Sequence, residues 1–473
     1  MKAPKIAIVG GGVAGVTAAI HLATAGAHVT LFEKKRSLVS GPPFCHLHAG
    51  GNLYREIGDD ACVTLLEQSI DFARLYPYTI DYRPTVIAIP LEDPGNPEDL
   101  VPRLSLLRDR YRRMVQSDAR NGILGPWQDY FTLFARDALE ALRPLTPPAH
   151  PKRPEEWMIR VAREVDLTRL KYPIVLVREY GINLFRLGAG ATLILRELPN
   201  VTLATRTEVT TIEPLERGWR LFFTDEGRQR SADFDYLVNA AGFQTGRIDE
   251  IIGITVPRMV EFKAAYVTHW ERGSQGWPEI VFHGERGTPR GMAQFTPYPD
   301  GHFQIHGMTP SITLFPDGLA VAPSGYAQPR LDSRFVAKIE RGWPVDIALE
   351  RTQAAIDYVA RFIPSFATAV PTPVPLYGAQ QIPGTDITRR VAEVAFPRPR
   401  YARCEIVKVS SAPDMAEKIL DDLKKERLLP PSSLPKIPPR PDEATLDALA
   451  AEIAESRGYP KALGRRLVEK PFQ

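Results

Sequence analysis

The chain has 473 residues, 44% of them hydrophobic and 24% charged, which is enough apolar material for about two or three domains and excludes general disorder. Lys and Arg number 59 against 56 Asp and Glu, a formal net charge of +3 that gives no footprint of a nucleic-acid binder. The three cysteines, Cys45, Cys62 and Cys404, lie far apart with no C-x-x-C. That excludes a disulfide scaffold, a zinc ribbon and a redox-active dithiol, and it suits a reducing compartment.

Residues 5–33 read as one βαβ unit. IAIV is a short buried strand, VAGVTAAIHLATAG a helix stopped by Gly26, and HVTLFE a second strand. The opening apolar run leads into glycines rather than a small-residue cleavage site, and no uninterrupted apolar stretch reaches about 18 residues. A cytoplasmic protein is expected, with peripheral membrane association as the alternative. From about 100 to 145 the pattern is helical and Arg-rich, and its arginines read as a solvated helix face rather than a binding patch. PLTPPAHPKRP at 144–154 is an extended connection. Residues 201–240 and 255–310 alternate as strands do, and Asp300-Gly301 marks a hairpin between two of them. Residues 346–362 return to a helical period. PPSSLPKIPPRP at 430–441 is a semi-rigid spacer leading to a terminal amphipathic helix. Leu446, Leu449, Ala450 and Ile453 form its apolar stripe. The stripe is expected to pack on protein, on its own chain before a second copy, with the spacer holding it apart from the nucleotide-binding domain.

The motif that carries chemistry is Gly10-Gly11-Gly12-Val13-Ala14-Gly15, a G-x-G-x-x-G between a strand and a helix. Gly10 permits the tight turn, Gly12 lets a pyrophosphate approach the backbone, and Gly15 lets the helix pack close to the sheet. The free N–H groups of the helix start face the phosphates. Glu33, ending the second strand, is placed to accept hydrogen bonds from a ribose diol. A dinucleotide site follows, made by Gly10, Gly12, Val13, Ala14, Gly15, Glu33 and the adjoining Lys34. The run of βα units expected of a nicotinamide dehydrogenase does not follow; the second strand gives way to the long loop KKRSLVSGPPFCHLHAGGNLY.

These features resemble the D-amino-acid-oxidase-like FAD-dependent oxidoreductases. SGPPFCHLHAGGNLY is similar to the family's loop over the isoalloxazine, which places His48 and Ala49 beside the flavin and makes His48 a catalytic candidate. TRTEVTTI resembles the strand that holds the adenine, through Val209. YLVNAAGFQT resembles the re-entry into the FAD domain, at Ala241 and Gly242. YPDGHFQIHGMT resembles a hairpin of the substrate domain, and VSSAPDMAEKIL a helix start aimed at the flavin, with Ser411 and Met415. Ser410 or Ser411, Pro413 and Asp414 also suit a helix N-terminus on their own.

The resemblance implies an α/β fold. Its FAD-binding Rossmann-type domain is discontinuous, at 1–60, 180–250 and 375–428, and is interleaved with a β-rich substrate domain at 251–374. A largely helical insertion occupies 61–179, and the Pro-rich linker with its terminal helix occupies 429–473. Two departures stand out. The family's late G-x-R-P is here Gly378-Ala379-Gln380-Gln381, without the Arg, and its late glycine-rich turn is VSSAPDM.

The resemblance further implies non-covalent FAD and a hydride taken from a C–H next to an amine or hydroxyl of a small substrate. Oxygen, a quinone or another carrier would reoxidise the flavin. Candidates for the substrate are His302, Gln304 and His306, on one face of a strand, and the potential carboxylate clamps Arg290, Arg389 and Arg390. Cys45, His46 and His48 lack metal-ligand spacing, and no metal is expected. A flavin monooxygenase and a non-catalytic FAD-binding subunit of a larger assembly are the alternatives; a homo-oligomer built through the tail ranks after docking on the same chain.

Overall fold

The computed structural model describes residues 3–41, 47, 50–51, 57–387 and 394–470. Its first layer is a six-stranded sheet in the order Val394–Arg398, Tyr401–Cys404, Tyr236–Asn239, Lys5–Val9, His28–Glu33, Val201–Thr205. All neighbours are parallel except the edge pair Val394–Arg398 and Tyr401–Cys404. Ile6, Ala7 and Ile8 are wholly buried, as a strand covered on both faces requires. Helix Val13–Thr24 packs against helix Ala412–Lys425, and its Ala18 and Ala19 leave room for close approach. Gly26, at φ +105°, ends the first helix in the conformation that glycine adopts without penalty.

The chain leaves the central strand Lys5–Val9 to build one side of the sheet with His28–Glu33. It returns much later on the other side as Tyr236–Asn239. That reversal of direction is a topological switch point, where open α/β sheets bind ligands at the carboxyl ends of their strands.

The second large layer is a ten-stranded sheet. Arg258–His269 lies along Leu376–Pro383 for eight residue pairs and along His302–Gly307, and the sheet continues through Ala293–Pro297 to Glu279–Phe282. The segment 61–179, expected to be largely helical, contributes three strands to this sheet: Thr85–Ala88, Phe131–Phe134 and Ile174–Val177. Thr85–Ala88 pairs with Glu279–Phe282, nearly 200 residues away, so local periodicity carries no trace of the sheet it joins. The Arg-rich helix Val101–Ser117 is tied down by surface pairs, Arg103 with Asp59 and Arg110 with Glu67. A three-stranded antiparallel sheet, Thr207–Leu215, Gly218–Asp225 and Arg228–Phe234, stands beside the first layer.

Buried charge fixes the two large sheets relative to each other. Asp249 has no exposed surface. It accepts from Arg258 Nη2 at 2.6 Å, from Arg403 Nη1 at 3.2 Å and from the Tyr401 hydroxyl at 2.6 Å. Arg403 and Tyr401 belong to the first sheet and Arg258 to the second. Burial and the neighbouring carboxylate hold the Tyr401 phenol far above its ordinary pKa, so it stays a donor.

The tail is docked on its own chain. Helix Glu443–Ser456 packs on helix Leu184–Glu197, burying Leu446, Ala450, Ile453 and Ala454. Arg186, fully buried, pairs with both Glu443 and Asp447. Asn183 caps its helix through Oδ1 and donates from Nδ2 to the carbonyls of Leu463 and Arg465. Farther on, Asp81 accepts from the backbone N–H groups of Leu467 and Val468. Among the described residues, no helix is long and apolar enough to cross a membrane.

Candidate active site

A single cleft of about 1180 Å³ runs from the carboxyl end of strand Lys5–Val9 to the face of the large sheet, above the ~300–1000 Å³ of ordinary small-molecule pockets. Gly10, Gly12, Val13, Ala14, Glu33, Lys34, Val209, Ala241 and Gly242 all line it. Gly10 adopts φ +107°, and a Cβ there would stand 2.4 Å from the carbonyl oxygen of Ala240. Gly15 lies beneath the turn: its Cβ would come within 1.8 Å of the Gly10 carbonyl oxygen. Gly12 differs from both. A Cβ on Gly12 would meet nothing within 4 Å, so the backbone there is bare toward the cleft. No side chain caps the helix that Gly12 opens.

Glu33 is buried at the strand end. Its Oε2 accepts from the Gly11 N–H at 2.8 Å and its Oε1 from the Lys35 N–H at 2.7 Å, so the carboxylate and the glycine loop hold each other in place. Lys34 donates to Gln244 Oε1 at 2.8 Å, and burial lowers its pKa. A glycine cradle with open space above it, an uncapped helix start and a carboxylate at the second strand end together fit the phosphates and ribose of a dinucleotide.

The far end of the cleft lies on the large sheet. Lys263, His283, Arg286, Gln294, His306 and Tyr377 line it. Lys263 pairs with Glu261 at 2.8 Å and donates to Gln380 Oε1 at 3.1 Å; Arg286 pairs with the same Glu261. Two cations therefore share one buried carboxylate. Glu285 is also in the lining but is exposed, where water screens it.

Several expected site residues lie elsewhere. Of the strand face His302, Gln304 and His306, only His306 reaches the cleft. The hairpin turn at Asp300-Gly301 is not part of its lining. Gln304 is buried and accepts from Tyr298, and His302 stacks edge-on with His269. Burial lowers the His302 pKa from its ordinary 6.5. Arg290 is exposed outside the lining; Arg286, four residues earlier, takes the wall position because Glu261 lies opposite. Ser411 and Met415 do not line the cleft. The Ser411 hydroxyl turns back to the Lys408 carbonyl at 2.7 Å, and Met415 is buried on the apolar stripe of helix Ala412–Lys425. Ile406, Val407, Lys408 and Val409 border the cavity instead. His48, Ala49, Cys45, His46, Arg389 and Arg390 lie outside the described residues.

The strand where the family's Arg is missing uses its glutamines as stitches. Gln381 donates to the carbonyls of Cys404 and Ile406, and Gln380 to that of Val407. They tie the large sheet to the segment that leads into helix Ala412–Lys425. The terminal helix is not held apart from this site. Ser456, Arg457 and Tyr459 are part of the lining, a contribution that the spacer-and-helix pattern did not reveal.

Fold and cleft together define a dinucleotide-binding enzyme of the two-sheet type, with a nucleotide end and a substrate end in one cavity. The family described as DAO, FAD dependent oxidoreductase, matches residues 5–374; the chain belongs to it, and its cofactor is FAD. No curated protein sequence matches significantly. Among solved structures, L-amino acid deaminase from Proteus vulgaris aligns with a TM-score of 0.60 at 14% identity, covering 90% of this chain and 94% of that one. L-proline dehydrogenase from P. horikoshii gives 0.57 at 17% identity, covering 89% and 94%. Dithionite-reduced L-alpha-glycerophosphate oxidase from Mycoplasma pneumoniae, with FAD bound, gives 0.54 at 15% identity, covering 94% and 98%.

Proposed function

We propose that this oxidoreductase takes a hydride from a C–H next to an amine or hydroxyl of a small substrate that carries an anionic group. Bound FAD, held non-covalently by the glycine cradle and Glu33, supplies the two-electron acceptor. The observation that carries the reading is the cationic wall: Lys263 and Arg286 sharing Glu261 on the substrate sheet, in the same cavity as the glycine loop. A guanidinium pairs with a carboxylate or phosphate through two parallel N–H donors, and it would hold the substrate by the end that does not react. His283 and His306 stand in the same wall. An imidazole there is placed to take the proton that leaves the amine or hydroxyl as the C–H loses its hydride. The aromatic Tyr377 and the thioethers of Met292 and Met308 supply apolar surface for the carbon skeleton. Oxygen, a quinone or another carrier takes the electrons in the second half-reaction.

Anaerobic bleaching of the visible flavin absorbance tests the substrate class. Amino acids, hydroxy acids and a phosphorylated alcohol are compared with neutral amines and alcohols of the same skeleton. Bleaching by one of the anionic set is the expected result. Bleaching that is equally fast with the neutral counterpart would overturn the assignment of the wall.

A further inference from the structure

The C-terminal tail reaches into the cofactor cleft, and one side chain there gives its hydrogen bonds, among the described residues, to a single short turn of the nucleotide-binding domain. Arg457 follows the last residue of helix Glu443–Ser456. Its guanidinium donates to the Leu38 carbonyl at 2.7 Å, the Val39 carbonyl at 2.9 Å and the Ser37 hydroxyl at 2.9 Å. Its planar face lies 5.7 Å from the ring of Phe185, which meets Tyr459 edge-on at 5.6 Å. Tyr459 in turn donates to the Pro375 carbonyl at 3.0 Å. The arginine is thus backed by Phe185 of helix Leu184–Glu197, itself covered by Tyr459, and aimed at residues 37–39.

That turn is one the chain would not hold unaided. Val39 has φ +54°, a conformation that a β-branched residue adopts only where its surroundings impose it. The turn also bears directly on the glycine loop. The Val39 N–H donates to the Gly11 carbonyl at 2.8 Å. The Leu38 side chain presses on the same residue, since a Cβ on Gly11 would stand 2.7 Å from Leu38 Cδ2. On the other side Gly188 comes so near that its Cβ would lie 2.9 Å from the Leu38 carbonyl oxygen. Shifted backbone at 37–39 would therefore carry Gly11 with it, and with Gly11 the N–H that holds Glu33.

We propose that Arg457 is a positioning residue for FAD: it pins residues 37–39 in their strained shape and through them sets the glycine loop, so the C-terminal tail is a working part of the cofactor site. A guanidinium suits the task because its rigid fork serves three acceptors at once, and an ammonium on a flexible stem does not. Burial disfavours the charged form, which Tyr459 and Glu33 nearby restore in part; the side chain remains a cation and a donor.

The test uses the holoenzyme as purified, in wild-type, Arg457→Lys and Arg457→Ala forms. Each is heated while flavin fluorescence, which reports release, and tryptophan fluorescence, which reports unfolding, are followed together. FAD dissociation is also timed after dilution. The expected result is flavin release that precedes the tryptophan transition in the variants. Dissociation should be roughly tenfold faster in Arg457→Lys, in line with the loss of one or two charge-assisted hydrogen bonds, and faster still in Arg457→Ala. If the alanine variant does not accumulate as folded protein, the lysine variant decides alone. Two results overturn the proposal. One is an unchanged dissociation rate with release and unfolding still coincident. The other is a joint fall of both transitions with no gap between them, the mark of a residue that only supports the fold.

Discussion

The three motif glycines should fail in different ways when substituted. At Gly12 the backbone has φ −70° and ψ −175°, extended geometry that any residue adopts, and an added Cβ meets no atom within 4 Å. Gly12→Val should therefore fold, with a stability change within ~1 kcal/mol. Its side chain, however, would project into the open space over the helix start that the proposed site gives to the phosphates. FAD affinity should fall at least ~100-fold, about 2.7 kcal/mol. At Gly15 the added Cβ would stand 1.8 Å from the Gly10 carbonyl oxygen, roughly half an ordinary contact distance, and the obstacle is backbone that cannot rotate away. Overpacking of this kind costs ~3 kcal/mol or more, which lowers the melting temperature of a chain of 473 residues by about 3 °C or more. The assay is paired: melting followed by tryptophan fluorescence, and flavin content from visible absorbance, on Gly12→Val and Gly15→Ala. A Gly12→Val protein that purifies with full FAD would refute the placement of the phosphates. A Gly15→Ala protein that melts with wild type would refute the account of the helix–turn contact.

Other perturbations separate the remaining parts of the argument. Arg286→Gln removes one of the two cations on Glu261 and leaves Lys263 paired with it; KM for an anionic substrate should rise ~10- to 100-fold with kcat little changed, and steady-state kinetics showing a fall in kcat alone would contradict a binding role. Asp249→Asn leaves Arg258 and Arg403 buried with Glu405 alone to share among the described residues, at 3.8 Å and 3.2 Å. It should cost ~3 kcal/mol, and a denaturant midpoint equal to wild type would show that the buried network does not hold the sheets. His302 has its pKa lowered by burial, so the unfolded chain takes up a proton first as pH falls below 6.5. The native state then loses stability on acidification. In His302→Gln the drop in melting temperature between about pH 7.5 and pH 5.5 should be smaller than in wild type; an equal drop would place the acid sensitivity elsewhere.

Much of the nucleotide end was legible in the chain because its contacts are local. The glycine turn, its strand and helix, and Glu33 fall within thirty residues. Their conformations follow from what glycine permits and from the 2.0 and 3.6 periods of the flanking elements. Asp300-Gly301 likewise announced its hairpin, and both residues adopt positive φ. Met415, expected beside the flavin, is instead buried with Ala412, Ala416 and Ile419 on one stripe of its helix, a spacing of three and four that the resemblance had overridden. The substrate end required the tertiary structure. Arg286 and Arg290 are equivalent in sequence terms, and only Glu261, brought opposite by the sheet, distinguishes them. Of three residues on one strand face, only His306 lies in the lining. The strands in 61–179 take their identity from partners far along the chain, Thr85–Ala88 from Ile174–Val177 and from Glu279–Phe282 nearly 200 residues away. The largest gap is at Arg457, whose hydrogen-bond acceptors lie about 420 positions earlier in the chain. Periodicity could say that the terminal helix has a face to bury. The surface that receives it, and the turn that its arginine grips, exist only once the two sheets have been assembled.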